Sequence, residues 1–188
     1  IDTFSCIARA CPTPMINVTP EADICLYPGT VPFNLQVSVV GGNGVGDWSG
    51  TGITSVVNGT FDAVIAGAGA HVITYHYLDD GCDFIESITI NVYDPPQALI
   101  SNTSLVLTCA GGNVLLLDGS GSSGGALLYD WSTIDGVIQS GAATSMALVS
   151  KEGIYQLKVI HSVSGCVDSV SVTVTKDANT PNADAGPD

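Results

Sequence analysis

Three groups of residues in this chain have side chains able to bond, bind or react: six cysteines, clustered aspartates and three histidines. Six cysteines allow fifteen pairings, and composition alone chooses none of them. Cys25 and Cys82 stand as far apart as Cys109 and Cys166, 57 residues in each case, while Cys6 and Cys11 are close enough for a local loop. No C-x-x-C occurs and no histidine pair lies nearby, so the spacing does not match a structural zinc site. Paired cysteines imply an oxidising, extracytoplasmic compartment, which makes an extracellular or cell-surface location the expectation.

The carboxylates offer different chemistry. Asp79, Asp80 and Asp83 cluster at one turn, and Asp118, Asp130 and Asp135 flank loops further on. Calcium takes six to eight hard oxygen ligands in flexible geometry, so Asp79, Asp80 and Asp83 form a candidate calcium site, although no EF-hand spacing is present. No other cofactor is expected. His71 and His76, five apart on one strand, fall on opposite faces and cannot hold one metal together, and His161 ends a strand. Ser120 and Ser122 sit in a glycine-rich stretch without the strand-turn-helix setting of a nucleophile elbow, and read as turn residues. Catalysis requires a base, a nucleophile or a metal held in a pocket, and a non-enzyme is expected. Asn17, Asn58 and Asn102 each begin an N-x-[ST] acceptor triplet.

Net charge narrows the partners. Eighteen acidic residues against four basic ones give a formal charge of −14 over 188 residues. Such a field repels phosphate backbones and anionic lipid, excluding nucleic acid as a partner. Apolar runs such as Val114 to Leu117 fall far short of the roughly 18 residues of a membrane-spanning helix, so membrane insertion is not expected.

The elements that must position these residues read as β. Helix formers are scarce, whereas Val, Ile, Thr, Ser and Gly dominate, as in short strands joined by tight turns. With 45% hydrophobic and 12% charged residues, the chain has enough apolar surface to fold. A shift of 84 residues maps Cys25 onto Cys109, Gly69 onto Gly153, and Gly81-Cys82 onto Gly165-Cys166. It also carries Ser87-Ile88-Thr89-Ile90 onto Ser171-Val172-Thr173-Val174, while Trp48 and Trp131 miss the register by one residue. The chain therefore reads as two copies of one domain, which suggests two equivalent bridges, Cys25 to Cys82 and Cys109 to Cys166.

Asp94-Pro95-Pro96 ends the first copy, because proline cannot donate to a ladder and restricts its predecessor. This predicts one domain over 1–94, a second over 95–178, and a linker or opening strand over 179–188. Expected strands are 33–40, 45–49, 60–65, 71–77 and 84–92 in the first copy. In the second they are 105–109, 114–117, 127–132, 145–149, 155–160 and 167–175. About seven short strands, one tryptophan and a cysteine pair per copy predict an all-β chain of two tandem immunoglobulin-like sandwiches. Trp48 and Trp131 are expected in the cores, with a carbohydrate-stacking role for Trp48 as the alternative.

Leu117-Asp118-Gly119-Ser120-Gly121-Ser122-Ser123, followed by Tyr129-Asp130-Trp131, resembles the L-D-G-S-x-S…Y-x-W pattern of polycystic-kidney-disease (PKD) type domains. The tail Pro181-Asn182-Ala183-Asp184-Ala185-Gly186-Pro187-Asp188 is similar to the stretch that opens such domains. Gly153-Ile154-Tyr155 with Gly165-Cys166 resembles a signature of tandem repeats in very long Bacteroidota surface proteins. The first copy lacks L-D-G-S and places His71 where the tyrosine would stand. The resemblance implies secreted or cell-surface proteins of adhesin or fibre type. In that setting Asp168-Ser169-Val170 resembles an O-glycosylation motif, with Asp2-Thr3-Phe4 a looser match, so Ser169, Thr3 and Asn58 are the candidate glycan sites.

Read in order, the tail and the head make a continuous domain opening. Ala183, Asp184, Ala185, Gly186, Pro187 and Asp188 are thus candidate assembly residues, pairing with a neighbouring module. The expectation is a non-catalytic structural repeat unit that self-associates into a filament or tandem array, with glycans as further partners. A carbohydrate- or ligand-binding module of a secreted protein is the alternative.

Overall fold

A computed structural model describes residues 10–109 and 112–177. The chain divides into two compact units, Ile1–Asp94 and Pro95–Asp188. Both are immunoglobulin-like β-sandwiches, and no helix among the described residues is long and apolar enough to cross a membrane.

The first unit is organised by one long hairpin, β8 (Gly69–Asp79) with β9 (Cys82–Tyr93). Its register runs unbroken from Gly69 opposite Val92 to Asp79 opposite Cys82. The two-residue turn has φ of 52° at Asp80 and 80° at Gly81, the left-handed pair that matches the twist of the flanking strands. Alternation then sends Ile73, Tyr75 and Tyr77 inward and Thr74, His76 and Leu78 outward. Strands β5 (Val45–Ser49) and β2 (Ile24–Cys25) flank this hairpin, β2 lying parallel to β9.

The facing sheet contains β3 (Phe33–Asn34), β7 (Thr60–Phe61) and β6 (Ile53–Ser55), while β1 (Met15–Val18) pairs with β4 (Val37–Val40). Trp48, Phe61, Ile73, Tyr75, Tyr77, Ile90 and Val92 fill the space between them. The Trp48 and Tyr75 rings lie 4.9 Å apart, and Phe33 meets Phe61 edge-on at 5.9 Å. Gly59, at φ 63°, passes so close beneath Trp48 that a Cβ there would fall 2.6 Å from the indole nitrogen.

Two expected strands are modified. The segment 60–65 leaves the sheet after Phe61 because Asp62 caps a single helical turn, α1 (Ala63–Ala66). Its carboxylate accepts from the Val64 and Ile65 amides at 2.9 and 3.3 Å. The segment 33–40 breaks at Leu35, which is buried and whose amide turns to the Gly59 carbonyl, so its halves join different partners. Strands β1, β2 and β6 were not expected; β2 and β6, of two and three residues, are too short to show a period.

The second unit repeats the plan. Strands β10 (Val106–Leu107), β16 (Val167–Lys176), β15 (Gly153–His161) and β12 (Leu127–Thr133) form one sheet, with β10 parallel to β16. Strands β11 (Leu115–Asp118), β14 (Met146–Lys151) and β13 (Val137–Ser140) form the other, β13 being the strand not expected. The core is Leu107, Leu117, Trp131, Ala147, Val149, Tyr155, Leu157, Val159 and Val174.

Leu157 is fully buried opposite Trp131. Leu157→Ala is expected to destabilise the second unit by about 2–5 kcal/mol, against at most about 0.5 kcal/mol for Ser171→Ala on the exposed face. Denaturant unfolding followed by tryptophan fluorescence checks the contrast.

Candidate functional site

The cysteines depart from the repeat-based pairing. Cys11 is bonded to Cys82, with their Cα atoms 5.8 Å apart, so neither Cys25–Cys82 nor Cys6–Cys11 forms. Cys25 lies opposite Tyr93 at the far end of β9 from Cys82. At about 3.3 Å per residue those ends are separated by roughly 36 Å. Cys109 and Cys166 are divided in the same way, since β10 pairs with Thr175 and Lys176 whereas Cys166 precedes β16. Cys109 is an exposed free thiol; Cys25 and Cys166 are disulfide-bonded. Equivalent cysteines do sit at equivalent places in the two copies, but at opposite ends of one strand. Cys6, Thr3 and the assembly candidates Ala183, Asp184, Ala185, Gly186, Pro187 and Asp188 lie outside the described residues, as does the stretch 179–188.

The D-G-S-x-S loop is a clasp. Gln97 and Ser123 exchange two backbone hydrogen bonds, at 2.8 and 3.0 Å, and the Leu99 amide donates to Ser122 Oγ at 3.0 Å. One step on, the Ser101 amide donates to the Asp118 carbonyl at 2.8 Å. The Asn102 amide group then imitates a peptide, donating to the Leu116 carbonyl and accepting from the Asp118 N–H, both at 2.7 Å. Side chains thus complete a ladder that holds the first segment of the unit against the edge of β11. This engages both ends of the Asn102 side-chain amide in the fold. Asp118 closes the loop by accepting from the Ser120 amide at 2.9 Å. Hydrogen bonds from the Ser120 hydroxyl first and its amide second hold the Asp118 carboxyl below its ordinary value. Gly119 is required by close approach, since a Cβ there would meet Leu157 at 2.5 Å.

The proposed calcium ligands do not converge. Asp79 points inward, is buried and accepts from the Asn43 amide at 3.1 Å. Asp80 occupies the turn, and Asp83 points outward to His76 Nε2 at 2.9 Å. Strand alternation accounts for the separation, because residues four apart across a two-residue turn need not share a face. Asp118, Asp130 and Asp135 are equally dispersed, with Asp135 accepting from the Ile154 amide. Among the described residues no group of three or more His, Cys, Asp or Glu is placed to hold a metal.

The histidines serve separate local roles. His71 faces inward, bonding the Gly67 carbonyl at 2.8 Å beyond α1, and His161 bonds Ser164 Oγ at 2.7 Å. His71 does not occupy the place of the second unit's tyrosine. Trp48 pairs with Tyr75 as Trp131 pairs with Leu157, and Ile73 pairs with Ile88 as Tyr155 pairs with Val172. Tyr155 therefore corresponds to Ile73. The 84-residue spacing holds along β9 and β16 but slips by two along β8 and β15, because residues 162–166 lengthen the second hairpin's connection. The Tyr155 hydroxyl donates to the Lys151 carbonyl at 2.6 Å and accepts from the Val137 amide at 2.8 Å.

Trp48 is 2% exposed, which removes it as a platform for a sugar ring. Ser169 and Asn58 are exposed, although the neighbouring Asp168 carboxylate accepts from the Ala98 amide at 2.8 Å. Among the described residues, Tyr75 is the other titratable group displaced from its ordinary value; burial pushes its hydroxyl up, and nearby Tyr77 and Asp47 add to this. Its ring packs in the core against Trp48.

Sequence reasoning did not assemble the outer face of the β5–β8–β9 sheet. Val45, Leu78 and Asp83 form one cross-strand row, and Asp47, His76 and Ile85 the next. His76 lies between the two carboxylates, with Nδ1 3.6 Å from Asp47 and Nε2 2.9 Å from Asp83. In the second unit the same rows are Leu128, Ile160 and Val167, then Asp130, Lys158 and Ser169. The signal was available as alternating outward positions, but the pairing that brings them together depends on register.

No protein-family model matches this chain, and no curated protein matches its sequence. Solved structures match its fold. The C-terminal fragment of intimin, in complex with the intimin-binding domain of the translocated intimin receptor, aligns with TM-score 0.60 and 13% identity, over 88% of this chain and 64% of that one. Extracellular domains 3–5 of Drosophila OTK align with TM-score 0.55 and 10% identity, over 87% and 62%. The eight N-terminal Ig domains of Down Syndrome Cell Adhesion Molecule align with TM-score 0.51 and 16% identity, over 89% and 25%. This chain thus spans less than two thirds of each. At such identities the likeness is one of fold, that of tandem Ig-like domains.

Replacing Cys11 and Cys82 together by serine is expected to destabilise the first unit by about 2–5 kcal/mol, read from denaturant midpoints. Alkylation before reduction, followed by peptide mapping, is expected to label Cys109. For Asp118, a folded-state value below the ordinary 3.8 means that its stabilisation is present above that pH and is lost as pH falls through the folded value. Asp118→Asn should therefore lower the melting temperature at neutral pH, with the difference from wild type shrinking on acidification below about 3.8.

Proposed function

We propose that the chain is a structural repeat unit of an extracellular or cell-surface fibre or adhesin, non-catalytic and joined end to end with further units. One observation carries this reading: the fold is duplicated along the chain, each copy has its own core, and many of the polar side chains serve turns and strand ends of their own copy. The aspartates cap turns and clasp strands, and cysteines staple the sandwich. What remains for function is surface.

Disulfide bonding supports an oxidising location outside the cytoplasm. Tandem sandwiches are also the architecture of the intimin fragment and of the cell-adhesion molecule reported above. The finer reading is of PKD-like repeats of the kind found in large Bacteroidota surface proteins, supported by the L-D-G-S-x-S clasp. In it, residues 179–188 supply the opening strand of a following domain, and exposed Ser169 and Asn58 carry glycans.

Electron microscopy of the native material tests this. Filaments with an axial repeat matching a pair of sandwiches are expected, and deletion of residues 178–188 should shorten them. Dispersed single chains, or filaments of unchanged length after the deletion, contradict end-to-end assembly.

A further inference from the structure

The outer face of the β5–β8–β9 sheet is built differently from the corresponding face of the second unit. Val45, Leu78 and Ile85 are 75%, 48% and 62% exposed and lie within cross-strand or diagonal reach of one another. Met15, 75% exposed, lines a concavity with Ile85 and extends the apolar strip past β9. Apolar side chains gathered in this way, bordered by charge, mark an interaction surface.

The border is acidic. Asp47 and Asp83 flank His76, and apart from Arg9, outside the described residues, the first 94 positions contain no lysine or arginine. The equivalent site in the second unit supplies its own cation, with Lys158 opposite Asp130, and has Ser169 where the first unit exposes Ile85. One acid meets one lysine in the second unit, whereas two acids share one histidine in the first. His76 is shared between the two carboxylates, so two acids face one histidine on this surface. No aromatic ring faces outward among these rows, since Tyr75 and Tyr77 point into the core, so the stacking surface of a sugar-binding face is missing.

We propose that this face docks a protein surface of opposite design, in which lysine or arginine alternates with exposed apolar side chains. The complement must come from a different protein. A second copy brings the same pair of acids and a net charge of −14, which opposes pairing this face with itself. This inference goes beyond end-to-end assembly and does not depend on it.

The test uses the full chain and a fluorescein-labelled peptide of alternating lysine and valine. Controls alternate lysine with serine, or glutamate with valine. Fluorescence anisotropy is expected to show the lysine–valine peptide binding at least tenfold more tightly than either control, and weakening as salt rises. Leu78→Ser with Ile85→Ser, and separately Asp47→Asn with Asp83→Asn, should each weaken it about tenfold. Leu128→Ser in the second unit should leave it unchanged, and thermal melting verifies that every variant is folded. Equal binding by the lysine–serine peptide, or no effect of either double substitution, overturns the proposal. So does a dimer of the chain that Leu78→Ser with Ile85→Ser abolishes, which would assign the face to a second copy. Filament length in that variant reports on end-to-end assembly separately, so the two readings fail independently.

Discussion

The two-residue period of the long hairpin in each unit is the constraint on which the rest of the molecule depends. In β8 it sends Ile73, Tyr75, Tyr77 and Asp79 inward and Thr74, His76 and Leu78 outward. A slip of one residue would exchange these sets, burying a histidine and exposing three large core residues. The cost of that exchange keeps the register unique, and every other placement follows from it. Trp48 finds Tyr75, Gly59 tucks beneath the indole, and the Gly41–Gly44 turn is caught by Tyr77 and Asp79 from below.

With register settled, polar chemistry becomes structural. Asp62 stops a strand, Asp118 and Asn102 finish a ladder that backbone alone leaves incomplete, and Asp135 receives the amide of Ile154. Each carboxylate accepts from a backbone N–H at a helix start, a loop or a strand end. A chain with so few basic residues has little else with which to satisfy its acids. It places most of the remainder in water, where their mutual repulsion is screened by salt. Against that background the strip of Val45, Leu78 and Ile85 beside Asp47 and Asp83 stands out as surface with no partner inside its own unit.

Much of this was legible in the residues. The all-β class, the duplication, the alternation of β16 and the opposite facing of His71 and His76 follow from local pattern. The strand Val45–Ser49 has the expected bounds, and Trp48 and Trp131 are core residues. Short strands such as β2 and β6 were not legible because two or three residues contain no period. The turn at Ala63–Ala66 was hidden because Ala-Val-Ile-Ala is equally apolar as strand or helix, and the capping bonds of Asp62 decide between them.

The cysteines separate the two kinds of information most clearly. By itself the sequence determined that two equivalent domains exist, which faces their strands present, and that equivalent cysteines occupy equivalent places. Only the tertiary structure decided that Cys82 meets Cys11 instead of Cys25, that Asp79, Asp80 and Asp83 part company, and that Tyr155 matches Ile73. The physical reason is range. Facing is set by a period of two along one strand, whereas bonding and clustering depend on which strands lie side by side and in what register. Those are set by loop lengths and by the packing of residues far apart in the chain.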